Sequence, residues 1–186
     1  MSFAAVDLFS VLVTAVWAML PAYVPNNAAV LAGGGRPIDG GRTWRGRRLL
    51  GDGKTWRGTA AGVLAGAALA VVLNLLRPSI SPVVGFGLPL FPPAAMVTLP
   101  VGAMLGDVVA SFVKRRTGRE RGAAFPLVDQ LDFVAGALLL TLFAAPAWFG
   151  SVFTLPVVVV VVVLTPVLHV GTNVVGYALG LKAEPW

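Results

Sequence analysis

The sequence predicts an all-α, polytopic membrane protein of five transmembrane helices, with its N-terminus outside and its C-terminus in the cytoplasm. Three observations predict it. Hydrophobic residues make up 57% of the 186 positions and charged residues only 12%, about half the charged share usual for a soluble domain. Five apolar runs, over about 5–24, 59–76, 93–113, 131–149 and 154–179, each approach the ~20 residues a helix needs to cross a hydrocarbon core. Lysine and arginine alternate along the connections: seven in 25–58, then Arg77 alone, then five (Lys114, Arg115, Arg116, Arg119, Arg121), then none, then Lys182 in the tail. Under the positive-inside rule, that alternation puts the first and third connections in the cytoplasm.

The first run lacks a basic segment ahead of it and carries Asp7, so it reads as a membrane helix rather than a cleaved signal. Pro21, Tyr23, Pro25, Asn26 and Asn27 mark its end. The second run is followed by 78–93, where Pro78, Pro82, Pro89, Pro92 and Pro93 indicate a loop or a re-entrant piece. Pro100, Pro156 and Pro166 are expected to kink or cap their helices. The fifth run contains Val157–Val163; valine is a poor helix former in water, but a helix is the one way other than a barrel to cross lipid. There is no internal repeat and no soluble domain. The expectation is a single transmembrane domain over 1–186, whose two cytoplasmic loops, about 25–58 and 114–128, form the site.

The absence of cysteine excludes disulfides, thiolate metal sites and a cysteine nucleophile. The single histidine, His169, leaves no room for multi-histidine metal sites. A net charge of +6 on a soluble protein would suggest nucleic acid. Here the cations sit between apolar spans, so the bilayer's anionic headgroups or anionic substrates are the expected partners.

Asp107, Ser111 and Lys114 stand at i, i+4 and i+7 near the end of the third run, and on a helix they share one face. A carboxylate inside a span is costly and marks a functional site by default; the bland alternative is an ion pair to a neighbouring helix. The fourth run opens Pro126-Leu127-Val128-Asp129-Gln130-Leu131-Asp132, with Asp129 and Asp132 facing one way. Asp129 alone would merely complement a helix dipole. Asp132 sits among Leu131, Phe133 and Val134 and suits that role less well. A short loop joins the two elements, so three carboxylates converge beside five cations. Oxygen-only ligands suit Mg²⁺, and the cations suit a polyphosphate bound to it. Together they fit phosphoryl or nucleotidyl transfer.

The first loop interleaves glycine with charge: Gly33-Gly34-Gly35-Arg36-Pro37-Ile38-Asp39, then Arg47-Arg48, then Leu50-Gly51-Asp52-Gly53-Lys54-Thr55-Trp56-Arg57-Gly58. Glycine backbones let N–H groups approach phosphates. Gly53-Lys54-Thr55 imitates a P-loop but lacks the preceding glycine at the required spacing and the strand context. The alternative is a juxtamembrane segment that only sets topology. Trp44 and Trp56 either stack on a base or anchor at the interface. His169 and Asn173, at i and i+4, read as buried hydrogen-bonding groups.

The blocks around Asp107, Ser111, Lys114-Arg115, Pro126 and Asp129-Gln130-Leu131-Asp132, with Lys54-Thr55-Trp56-Arg57-Gly58, resemble the signature of the CTP:phosphatidate cytidylyltransferases. Gln130 replaces the usual arginine, and the His-Gly-Gly before the last acids is missing. The archaeal branch, the CDP-archaeol synthases, is similar over almost the whole chain, through Pro25-Asn26-Asn27, Gly33-Gly34-Gly35, Arg47-Arg48, the acid blocks and the tail from His169 to Trp186. The resemblance implies a Mg²⁺-dependent enzyme that transfers CMP from CTP to a lipid phosphate, digeranylgeranylglyceryl phosphate, and releases pyrophosphate. Asp107, Asp129 and Asp132 would then hold the metal. Lys54, Arg57, Lys114 and Arg115 would bind phosphates, with Gly53, Thr55 and Ser111 beside them. Asp39 and Asp52 would shape the loop or contact the cytidine. Its rivals are a CTP-dependent polyprenol kinase and a non-catalytic, anionic-lipid-binding transporter.

Overall fold

The computed structural model describes residues 7–119 and 128–178. They form six helices and one short hairpin: α1 (Leu8–Ala32), β1 (Thr43–Trp44), β2 (Arg47–Arg48), α2 (Trp56–Val84), α3 (Pro93–Arg116), α4 (Val128–Ala144), α5 (Pro146–Val152) and α6 (Leu155–Ala178). Asp7 caps α1, accepting from the N–H groups of Phe9 and Ser10 at 3.1 and 3.2 Å. Thr55 caps α2 through Gly58 N–H at 3.1 Å. Both side chains satisfy donors that a first helical turn leaves unpaired.

Three expected boundaries are corrected. The first span does not end at Pro21–Asn27 but runs on to Ala32. The lost N–H groups are tolerated because the proline turns are packed against α2, where Gly58, Gly62 and Gly66 are buried at every fourth position. A β-carbon on Gly62 would come to 2.6 Å from the Pro25 carbonyl oxygen, and one on Gly66 would overlap that of Pro21. Small residues at this spacing let two backbones touch. The segment 78–93 is not one loop. α2 passes through Pro78 and Pro82, which both face outward, and stops at the left-handed Gly85 (φ 83°). The fourth run breaks at Ala145, and α5 begins on Pro146.

A second glycine contact joins α3 to α4. Gly102 and Gly106 lie directly on Gly136 and on the Asp132–Phe133 backbone, where a β-carbon would overlap. Hydrogen bonds tie the helices further, Thr98 to Thr141 and Tyr23 to Thr165, each at 2.9 Å. Among the described residues, α1, α2 and α3 are long and apolar enough to cross a membrane, and α5 with α6, bent by 78°, make a fourth if taken as one span. Large apolar side chains point outward, Leu64 and Leu75 among them at 69% and 74% exposure. That surface belongs in lipid rather than water.

Candidate active site

The loop between α1 and α2 is folded around one buried acid. The Asp39 side chain, with no exposed surface, accepts from the N–H groups of Gly41, Leu50 and Gly51 at 3.0–3.1 Å and from Arg48 through Nε at 3.2 Å and Nη2 at 2.7 Å. The Arg48 guanidinium above all, helped by the three N–H groups, holds this carboxyl well below the usual carboxylate range against the opposing effect of burial. Both Asp39 oxygens are thus engaged by donors of its own loop. Arg48 also donates to the exposed Asp52 at 2.6 Å. Ile38 N–H bonds Lys54 O at 2.8 Å and Trp56 N–H bonds Arg36 O at 3.2 Å. The loop is thus closed onto the start of α2, with Lys54 just ahead of the helix.

The hairpin was not anticipated. Its turn, Arg45-Gly46, has φ of 53° and 74°, the left-handed pair that a tight two-residue hairpin requires and that glycine adopts readily. Arg116 at the end of α3 holds the hairpin in place. It donates to the carbonyls of Trp44 and Arg48 at 2.8 Å and of Arg47 at 3.3 Å. Trp44 lies stacked on Phe112, with centroids 6.4 Å apart and planes 17° apart. Arg115 reaches Leu50 O at 3.4 Å and lies over Gly51.

These contacts bring both polar segments to one end of the helices. Lys54 pairs with Asp107 of α3, and Lys114 of α3 pairs with Asp129 of α4 at 2.5 Å. All four side chains are between 20% and 27% exposed, so they are accessible yet poorly hydrated. Asp132 is half-buried, accepts from Phe133 N–H at 2.6 Å, and lies within electrostatic reach of Asp107, Asp129 and Lys54. Ser111 sits one turn beyond Asp107, half-buried.

The other expected site residues are more dispersed. Gly53 is open, and Thr55 is buried as the cap of α2. Arg57 is exposed, with its stem against Gly35, and Trp56 is 60% exposed. Pro126 and the tail from Leu181 to Trp186 lie outside the described residues, as does the side chain of Asn173. Sequence reasoning passed over Arg48 and Arg116 as site-building residues. The i, i+4 spacing of Arg48 and Asp52 was the one signal that could have found the first.

The donor set fits a hard divalent cation. The carboxylates supply only oxygen, and Asp107 and Asp132 come from helices whose backbones touch at Gly106. As the side chains stand, no group of three among the described residues closes on one point, and two of the acids face lysines instead.

The model for the CarS-like CDP-archaeol synthase family matches residues 8–186. A CDP-archaeol synthase of Halobacterium salinarum is 70% identical over 180 residues, covering 97% of this chain and 99% of the relative. That of Haloarcula marismortui is 67% identical over 174 residues (94% and 96%), and that of Methanosarcina acetivorans 48% over 175 (90% and 100%). A solved structure described as an intramembrane enzyme for archaeal membrane lipids biosynthesis is 39% identical. It superposes with a TM-score of 0.69 over 86% of this chain and 92% of that one.

Proposed function

The chain belongs to the CDP-archaeol synthase family, and from that premise we propose how its own residues carry the reaction. It is a multi-pass membrane protein and a CTP-dependent cytidylyltransferase of archaeal membrane lipid synthesis. In the reaction an oxygen of the lipid phosphate attacks the α-phosphorus of CTP. A new phosphorus–oxygen bond forms, the bond to the bridging α–β oxygen breaks, and pyrophosphate leaves with that electron pair. The attacking oxygen is already ionised at neutral pH, so no general base is required.

The observation that carries the reading is the pair of ion pairs, Lys54 to Asp107 and Lys114 to Asp129, joining the first loop, α3 and α4. Lys54 and Lys114 carry the charge that meets the phosphates. Arg57 and the N-terminus of α2, whose first turn contains no acid, extend that positive field over the same anion. Asp107, Asp132 and Asp129 are the residues that would hold Mg²⁺, which when bound supplies charge neutralisation of the triphosphate. The Asp39–Arg48 core holds the loop so that Lys54 keeps its place, and Asp52 steadies Arg48. The lipid acceptor is digeranylgeranylglyceryl phosphate. Its two chains lie in the bilayer, and its headgroup meets CTP at the cytoplasmic boundary of the cell membrane. Five crossings, by α1, α2, α3, α4 and α6, fit that arrangement with the N-terminus outside. α4 has 17 described residues, or about 25 Å of helix.

The test follows both products of purified protein given radiolabelled CTP, Mg²⁺ and the lipid phosphate. Pyrophosphate and CDP-lipid in equal amounts are expected. Release of CDP would favour the kinase reaction instead and overturn this one. Asp132→Asn is expected to abolish Mg²⁺-dependent transfer in a folded protein, and full activity in that variant would remove Asp132 from the metal's ligands.

A further inference from the structure

On α3, Leu105, Val109, Phe112 and Arg116 recur at spacings of four, three and four, and so form a second stripe along the helix. At 100° per residue this stripe lies about opposite the one carrying Asp107, Ser111 and Lys114. Its lower part is bare: Leu105 and Val109 are 50% and 59% exposed. Its polar end opens into a groove of about 540 Å³ lined by Trp44, Arg45, Arg47, Phe112, Arg115 and Arg116.

Among the described residues that groove is lined by four guanidinium groups and no acid. Among the described residues, none of the four arginines is paired with a carboxylate; the arginine that is, Arg48, lies outside the lining. Arg116 keeps a buried Nε–H without an acceptor, an unmade bond that costs free energy. Its guanidinium lies 5.1 Å from the Trp44 ring centroid and 5.5 Å from that of Phe112. Arg45 and Arg47 are exposed on the hairpin.

We propose that this face of α3 is a second, non-catalytic lipid site. An anionic lipid would place its phosphate among Arg45, Arg47 and Arg116 and run one chain along Phe112, Val109 and Leu105. Charge complementarity selects the headgroup, since four guanidinium groups that face no carboxylate among the described residues attract an anion. The apolar stripe continuous with them selects an amphiphile over a soluble phosphate. The opposite placement of the carboxylates separates the site from the substrate's position. A lipid bound there would brace the hairpin, which Arg116 ties to Arg48 and hence to the Asp39 core.

Native mass spectrometry of the full chain in neutral detergent tests this, with equal amounts of phosphatidylglycerol and phosphatidylcholine of matched chains. Wild type is expected to retain the anionic lipid preferentially, as is Asp107→Asn/Asp132→Asn. Arg45→Gln/Arg47→Gln is expected to lose that preference by about 30-fold, the effect of two cations at a charged interface. Arg45→Gln keeps the same backbone demand, and circular dichroism should show an unchanged helix content. Val109→Asp, with every arginine in place, should weaken retention as well. Equal retention of the anionic lipid by the Arg45/Arg47 variant and wild type would overturn the proposal. So would complete displacement by millimolar inorganic phosphate, which would make the ligand a soluble anion.

Discussion

Two of the connections between helices, α1 to α2 at one end and α2 to α3 at the other, are stabilised by opposite means. The loop at 33–55 is organised by charge: one buried carboxylate gathers three N–H groups and an arginine, and a second arginine pins the hairpin. The connection at 85–92 has no acid at all. There the carbonyls of Leu88, Pro89, Leu90 and Phe91 accept in turn from Arg77, Trp17, Trp148 and Asn74 at 2.6–3.0 Å. The side chains of Leu88 and Phe91 are buried in the core. Indole and amide donors satisfy a backbone that helices and lipid would otherwise leave unpaired. The first connection keeps charged groups, Arg45, Arg47 and Asp52 among them, at the surface. The second seals its end and presents one cation. On the proposed function the reaction belongs to the first end, so damage at the two ends should have different consequences.

The largest effect is expected from Asp107→Asn or Lys54→Met, each lowering kcat by about 10²–10³-fold, the scale of removing one charge-stabilising contact from a transition state. Because the two groups face each other, the double variant should lose little beyond the worse single one. Strictly multiplicative losses in kcat would show that they act separately.

Asp39→Asn should rank next. With the Arg48 pair broken the loop loses its centre and Lys54 drifts, and misplacement of this kind costs on the order of 10²-fold in rate. Asp39 also makes the loop's stability pH-dependent. Its folded pKa is depressed, so its contribution is complete above the ordinary carboxylate range near pH 4 and is lost only as pH falls through the lowered value. Hydrogen exchange of the Leu50 and Gly51 amides should therefore stay slow down to about pH 4 in wild type and be fast at every pH in the variant. Equal protection in the two proteins would remove Asp39 from the centre of the loop.

At the other end, Asn74→Ala strips partners from both the N–H and the C=O of Phe91. It should cost about 1–3 kcal/mol, seen as a melting temperature lower by several degrees, with kcat unchanged. A loss of kcat as large as that of Asp39→Asn would break the contrast between the two ends. The smallest effect serves topology. The chain has no cysteine, so Thr43→Cys and Gly87→Cys give single thiols at exposed positions with little change in activity. In oriented membranes an impermeant maleimide should label the first only from the cytoplasmic side and the second only from outside.

The sequence by itself determined the solvent and where along the chain the charged groups lie. Runs of apolar residues and segregated lysine and arginine are properties of the chain read in one dimension, and lipid and water sort them without further information. The spacing of Asp107, Ser111 and Lys114, like that of Asp129 and Asp132, followed from helical periodicity alone. Which partners those groups meet was decided by tertiary structure. Lys54 and Asp107 are 53 residues apart, and they meet because Gly62 and Gly66 let α2 lie close against Met104 and Pro100 of α3. The same packing carries α1 through Pro21 and Pro25, which read as stops, since a local rule about a missing N–H yields when a neighbouring helix fills the kink. Asp39 is expected from the sequence either to shape the first loop or to contact the cytidine. Its burial under five donors could be seen only once the loop had closed, because a carboxylate's role depends on which donors surround it in space.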